Sequence, residues 1–519
     1  MNRLVPAACL LLSLALGATC APAASARPDA RADLDGIVDA VVARYHLPGI
    51  AVGVIDDGQV VYTRTLGKLA SGQPIDADTL FQIASNTKAM TSTLLARLVQ
   101  QGKLRWDDPV TKYLPSFRMH DPWVTANMQV GDLLVHHSGL HEGAGDLMLW
   151  PTPNQFTPDD VVAGLRYLKP AYSFRAGYAY DNTLYIVAGQ LAAAAGGAPY
   201  PVLMRREIFA PMGMTRCQVG SWNRVDVGNV ADPTIWRDGK YVPAAAAEPI
   251  VHAQTMDAAG GVRCSLNDML SWAKNWLAPT PSQLAWLTPE QRSKEWTSYT
   301  PMPISKRRHD WDGTLFYGYG YGWRIADVDG QITVSHTGTL SGMYSALTLL
   351  PLRKSGFVFL INADAEDARS VLIEALTKHF TAPAKARSVA SYADELAQAD
   401  RPSRTARSPD TSARQPATAA ELKTQLGVWR DPWFGEARIC AQGDAVRFVA
   451  AKSPRMAGQV IRVGEKYLVH WNGDAVDVEA WLRFPQHAGG ALHLAKVDPG
   501  ADFSSDFEDL AFIRERGCE

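Results

Sequence analysis

The chain lacks a charge bias. Its 519 residues carry 51 Lys and Arg against 53 Asp and Glu, a net charge of -2, with the two signs mixed along the chain. No basic stripe exists to hold a polyanion, so nucleic acid is not an expected partner. Beyond the first eighteen or so positions there is no long apolar run, so no integral membrane segment is expected once a leader is removed. Neither His-Glu-x-x-His nor paired Cys-x-x-Cys occurs, so neither a metal nor a cofactor is expected. Gly318, Gly320 and Gly322 alternate in a strand-like run that precedes no helix, which rules out a nucleotide loop. Solenoid repeats are absent.

What is present is a soluble globular composition, 47% hydrophobic and 20% charged, long enough for two folded units. The start, Met1-Asn2-Arg3, leads into an apolar run from Leu4 to about Ala18 and then Ala24-Ser25-Ala26. That pattern is a secretory signal over residues 1–26, making the protein exported, periplasmic or secreted. Cys20 raises a lipid anchor as the alternative, but Thr19 before it suits such processing poorly. Four cysteines then remain, and the simplest pairing in an oxidising compartment is Cys217 with Cys264 and Cys440 with Cys518. Four buried free thiols are the competing reading.

Hydrophobic periodicity divides the chain into a main domain (29–381), a linker (382–418) and a C-terminal β unit (419–519). The first 18 or so residues of the main domain space apolar positions as a helix. Gly49 to Ile55 and Val60 to Thr63 read as strands joined at Asp56-Asp57-Gly58. From Ser85 to about Ser305 the pattern is helices and loops. Strands return at Gly320–Ile325, Ile332–Ser335, Ser345–Leu350 and Gly356–Ile361, and a helix near Ser370 to Phe380 closes the unit. The fold class expected is α+β: one antiparallel sheet flanked by helices, with a large helical insertion. The linker carries a helical patch near Tyr392 to Ala397. Short alternating runs beyond it, such as Lys466 to Trp471, predict an all-β barrel-like unit.

The candidate chemistry centres on Phe81 to Met90, where Ser85 and Lys88 stand three residues apart as an apolar run enters a helix. One helical turn brings the amine near the hydroxyl, which is a poor nucleophile until a base takes its proton. A second Ser-x-x-Lys, Ser271 and Lys274, lies inside an amphipathic helix and is read as chance. Tyr180-Asp181-Asn182 offers a phenol that a nearby ammonium would help to ionise, and an amide to contact Lys88 or substrate. Read alone, it is a helix start with a packed aromatic. His336-Thr337-Gly338-Thr339 ends a predicted strand, where glycine permits close approach and the Thr339 N–H can join that of Ser85 in an oxyanion hole.

Together these three motifs, in this order, resemble those of the serine β-lactamase/penicillin-binding protein family. The likeness is to the class C β-lactamase-related (CubicO-like, peptidase S12-like) branch, and it covers roughly Leu34 to Phe380. Asp132 to Leu140, Ala259-Gly260-Gly261-Val262 and Tyr319 to Trp323 match as well. The resemblance implies Ser85 as acylated nucleophile, Lys88 as its activating partner and Tyr180 as general base. It implies Asn182, His336, Thr337, Gly338 and Thr339 as substrate-binding, and His136 and His137 as structural. Penicillin-directed members usually carry lysine at the His336 position. A histidine there points to an esterase, amidase or peptidase acting through an acyl-enzyme on a D-amino-acid peptide, peptidoglycan fragment or small ester. The alternatives are a β-lactamase, or a catalytically weak penicillin-binding or scaffold protein. Gly427 to Gly435 and Asp502 to Leu510 resemble the lipocalin-like domain appended in this branch. Oligomeric state and the role of that domain stay open.

Overall fold

The computed structural model describes residues 30–244, 248–407, 409–473, 476, 478–487 and 489–518; the expected export signal, with Cys20, lies outside them. Helix α1 (Ala30–Tyr45) leads into strand β1 (Gly49–Asp56). Asp57 and Gly58, both at positive φ (44° and 75°), turn the chain into β2 (Gln59–Gly67). Two consecutive left-handed residues are what a tight hairpin loop requires. The chain then leaves the sheet and returns as β3 (Thr300–Pro301), β4 (Tyr317–Tyr319), β5 (Arg324–Val328), β6 (Gln331–Leu340), β7 (Met343–Leu350) and β8 (Ser355–Ile361). The sheet is antiparallel in the order β2-β1-β8-β7-β6-β5-β4-β3, so Val52 pairs with Phe359 across the domain's two ends.

Strand β8 is buried on both faces, and its alternation sorts its side chains. Phe357, Phe359 and Ile361 pack with α1 and α5 (Glu366–Thr381), while Val358 and Leu360 join the core under the inserted block. Within that block lie α2 (Thr87–Gln100), α3 (Thr183–Gly196) and α4 (Leu266–Leu277), together with three two-stranded pieces that the helical reading did not anticipate. Helix α2 is buried nearly all round, so its hydroxyls must be satisfied internally. Thr91 donates to Ala258 O at 2.7 Å, and the Ser92 hydroxyl lies 2.7 Å from both Glu295 Oε2 and Tyr321 O, its hydrogen-bond partners.

Two expectations need correction. Gly320–Ile325, read as one strand, is strand only from Arg324, where β5 starts; Gly320 to Trp323 turn the chain between β4 and β5. Gly322 there has φ +76°, and a Cβ on it would come within 2.7 Å of Lys88 O, so the chain bends tightly against α2. The segment expected as linker, with a helical patch near Tyr392 to Ala397, holds a longer helix, α6 (Val389–Arg407). Val389, Tyr392, Ala393 and Leu396 fall at i, i+3, i+4 and i+7, an apolar stripe, and all four are buried in the core beside α5.

The C-terminal unit is a closed barrel of eight antiparallel strands between Gly427 and Arg516, with the short strand Arg414–Pro416 added to one of them. Trp429, Phe434, Phe448, Trp471 and Phe512 are buried in it as core. The disulfides pair Cys217 with Cys264 and Cys440 with Cys518, one per domain, as the compartment argument expected. The barrel packs directly on the main domain. Lys452 reaches Asp160 at 2.6 Å, its carbonyl accepts Gln155 N–H at 2.7 Å, and Phe156 packs on Phe434 with ring centres 5.6 Å apart. Among the described residues no single helix is long and apolar enough to cross a membrane.

Candidate active site

The sequence turns sharply at Ala84, which takes φ +48°, uncommon for a residue with a side chain. A short 3₁₀ turn, Ala84–Asn86, then runs into α2 and presents Ser85 partly exposed at its mouth. This segment is tied down from the sheet: Asn86 Nδ2 donates to Ser345 Oγ at 2.8 Å, and Ser345 Oγ donates to Ile83 O at 2.8 Å. Strand β6 passes directly over it. A Cβ at Gly338 would lie 2.2 Å from Ile83 O and 3.0 Å from Ala84 Cβ, so only glycine lets the strand meet the segment that carries Ser85.

Lys88, one turn beyond Ser85 at the start of α2, is fully buried, with Nζ 3.1 Å from Ser85 Oγ, 2.7 Å from Asn182 Oδ1 and 3.0 Å from Ala259 O. Burial pushes its amine down to about 7; the Asp146 carboxylate opposes that and the Arg324 charge adds to it. The two carbonyl acceptors occupy two N–H bonds of a neutral amine, which leaves its lone pair for the Ser85 hydroxyl.

Asn182 stands at the N-cap of α3 without capping it. Asp181 takes that place, accepting from Thr183 Oγ1 at 2.6 Å and Leu184 N–H at 3.4 Å, and so frees the Asn182 amide for the site. Its Nδ2 donates to Asp146 Oδ2 at 2.8 Å. Asp146 is fully buried, and burial raises its carboxyl well above the usual range.

Tyr180 lies in the same pocket, with Lys88 Nζ 4.8 Å from its ring centre. The expectation that the ammonium would ionise it is not met. Burial pushes the phenol up to about 12, against the Arg324 charge and a hydrogen bond with Ser85 that favour ionisation. The ring is backed by His136 at 4.3 Å between centres, and the Asp181 N–H donates to His136 Nδ1 at 3.1 Å. His136 thus buttresses Tyr180, and its burial keeps the imidazole neutral.

Strand β6 runs through all of His336-Thr337-Gly338-Thr339 rather than ending there. Alternation splits the four: His336 and Gly338 are buried, while Thr337 is partly exposed and Thr339 exposed. His336 is therefore no ligand-facing group. Its Nδ1 donates to Thr337 O at 2.7 Å and its Nε2 accepts from Tyr319 OH at 2.8 Å, so both nitrogens are used inside the fold. A cation reaches this part of the cleft from the neighbouring strand. Arg324 on β5 donates to Thr337 Oγ1 at 2.7 Å and is partly exposed beside the cleft. Thr339 Oγ1 accepts from Arg369 of α5.

Sequence reasoning missed Asp146, Arg324 and the barrel's contribution. Ser504 Oγ donates to Asp146 Oδ2 at 2.8 Å, and Phe503 sets its ring edge-on to Tyr180 at 5.9 Å. The barrel's 502–509 loop is thus one wall of the cleft. The chance Ser-x-x-Lys is occupied structurally, with Ser271 Oγ donating to Met212 O at 2.7 Å.

This geometry meets known proteins at several points. Unguisins hydrolase ungD' of Aspergillus campestris is 27% identical over 359 residues, 67% of this chain and 64% of the fungal protein. D-alanyl-D-alanine-carboxypeptidase/endopeptidase AmpH of Escherichia coli is 28% identical over 238 residues, 44% of this chain and 57% of that one. The chain spans less than two-thirds of the length of either relative. The solved octameric penicillin-binding protein homologue from Pyrococcus abyssi superposes with a TM-score of 0.58 at 20% identity, covering 93% of this chain and 99% of that one, a likeness of fold. The Beta-lactamase family profile matches residues 34–380, the whole of the sheet and its helical insertion, and the chain belongs to the beta-lactamase/transpeptidase-like family of hydrolases.

Proposed function

We propose that the protein is an exported serine hydrolase that cleaves an amide or ester through a covalent acyl-enzyme. The observation that carries this reading is the buried Lys88 amine, held 3.1 Å from Ser85 Oγ with its pKa near 7. In the reaction, Ser85 Oγ attacks the acyl carbon while its proton passes to Lys88 Nζ. The tetrahedral oxyanion is received by the backbone N–H groups of Ser85 and Thr339. As the bond to the leaving group breaks, that proton travels through the Tyr180 hydroxyl to the departing nitrogen or oxygen. Water then reverses the sequence and releases the acid. Tyr180 is a proton relay here rather than the base, because a phenol near 12 stays protonated at neutral pH.

Arg324 narrows the substrate class. A cation hydrogen-bonded to Thr337 at the cleft suits a substrate carboxylate near the scissile bond, as at the C-terminus of a D-amino-acid peptide or peptidoglycan fragment. Small esters lack that group, and β-lactams share it. Arg324→Leu should raise KM for carboxylate-bearing substrates by roughly 10- to 100-fold, the range for a hydrogen bond to a charged group, with little change for neutral esters. Equal KM changes on both substrate classes would remove Arg324 from recognition.

The reading is tested by incubating the purified protein with a fluorophosphonate or a penicillin probe and mapping the adduct by mass spectrometry. An adduct on Ser85 with either supports a competent nucleophile, and with the fluorophosphonate alone it selects the esterase or peptidase over the β-lactamase. No adduct with either would favour a scaffold.

A further inference from the structure

We infer that His141, Asp506 and Asp509 form a binding site for one divalent transition-metal cation of the zinc type, joining the barrel to the wall of the cleft. His141 Nε2 lies 3.0 Å from Asp509 Oδ2 and 3.4 Å from Asp506 Oδ1, and the three ligand atoms all fall within 4.8 Å of one another. These contacts are close without being aligned as hydrogen bonds: Asp506 Oδ1 and Asp509 Oδ2 are buried atoms with no hydrogen-bond partner. Atoms aimed at a shared centre rather than at one another give that pattern. With ligand bonds of about 2.0–2.1 Å, tetrahedral ligand atoms stand about 3.3 Å apart, and the two short separations bracket that value.

The supporting contacts point the same way. His141 Nδ1 lies 2.9 Å from the carbonyl oxygen of Glu142. A carbonyl only accepts, so Nδ1 carries a proton and Nε2 is the nitrogen that faces the two carboxylates. The carboxylates call for a positive charge beside them, which a proton on Nε2 supplies without the ion and a bound cation would replace. Asp506, its side chain fully buried, is fixed from the other side by the Gly145 N–H, which donates to Oδ2 at 2.6 Å. Ligands oriented by such outer partners are characteristic of built metal sites. The His141 side chain is 35% exposed, which leaves a path for the ion and room for a water as fourth ligand. One imidazole and two carboxylates suit zinc, cobalt or nickel, and three ligands are too few for calcium, which takes six to eight oxygens. Sequence motifs miss the site because its ligands come from two domains.

The inference is independent of the acyl chemistry. Its consequence is positional: Phe503 and Ser504, which touch Tyr180 and Asp146, belong to the loop that the ion would pin. The test uses the untagged full chain, treated with EDTA, desalted, loaded with zinc at micromolar concentration and desalted again. Elemental analysis should find one zinc per chain, and cobalt loading should give the visible bands of a four-coordinate ion. His141→Gln and Asp509→Asn should each reduce uptake at least tenfold, and calcium should not compete. No retained zinc in the wild type, or equal retention in folded Asp509→Asn, overturns the proposal and leaves a protonated imidazole paired with two carboxylates. Should the variants misfold, the wild-type cobalt spectrum decides: absent four-coordinate bands overturn the site on their own.

Discussion

Ser85→Ala should lower kcat for every substrate by on the order of 10⁴-fold or more while leaving the fold intact. The magnitude follows from what is removed. Without Oγ no acyl-enzyme forms, and the remaining cradle can stabilise only direct attack by water, as in other hydrolases stripped of their nucleophile. A factor of 10⁴ corresponds to about 5 kcal/mol of transition-state stabilisation. Stability should barely move, because Ser85 is partly exposed and Lys88, 3.1 Å from its hydroxyl, keeps Asn182 and Ala259 as partners. KM for a carboxylate-bearing substrate should also hold, since Arg324 is untouched. Steady-state kinetics with thermal unfolding on the same preparation separates the outcomes. Residual turnover above a hundredth of wild type at an unchanged melting temperature would mean that the chemistry does not run through Ser85.

A residue's role is legible in the sequence where it is set by near neighbours along the chain. Ser85 and Lys88 are one helical turn apart, so their meeting could be read from spacing alone, as could the Asp57-Gly58 turn and the strand from Gly356 to Ile361. Tyr180 and Asn182 were placed through the family resemblance, and the structure brings the Asn182 amide 2.7 Å from Lys88. Arg324 escaped notice because its segment was read as continuous strand. Only the bend at Gly322, forced by the backbone of α2, aims it at Thr337. Asp146 follows a glycine-rich loop with no motif, and its partners Asn182 and Ser504 lie far away in sequence. His336 was misjudged for the opposite reason. The triplet was recognised, but alternation along a strand longer than expected turns the imidazole inward.

The second large effect distinguishes the base from the relay, and pH is the variable that separates them. Lys88 titrates near 7 because its burial disfavours the ammonium, so its lone pair becomes available as pH rises through 7. kcat/KM of the wild type should accordingly climb with pH and level off above about 8. Lys88→Met keeps the volume and the burial but removes the lone pair. It should cost roughly 10³- to 10⁴-fold, the upper part of the range for a lost general base, and abolish the rising limb. Tyr180→Phe should lose about 10²-fold and keep the limb near pH 7, since the group that titrates there is still present. Arg324→Leu supplies an internal check on the sign. Removing a neighbouring cation eases protonation of the amine, so its limb should move to higher pH. Were Tyr180→Phe to erase the limb while Lys88→Met retained it, the phenol would be the base after all, ionised despite its burial.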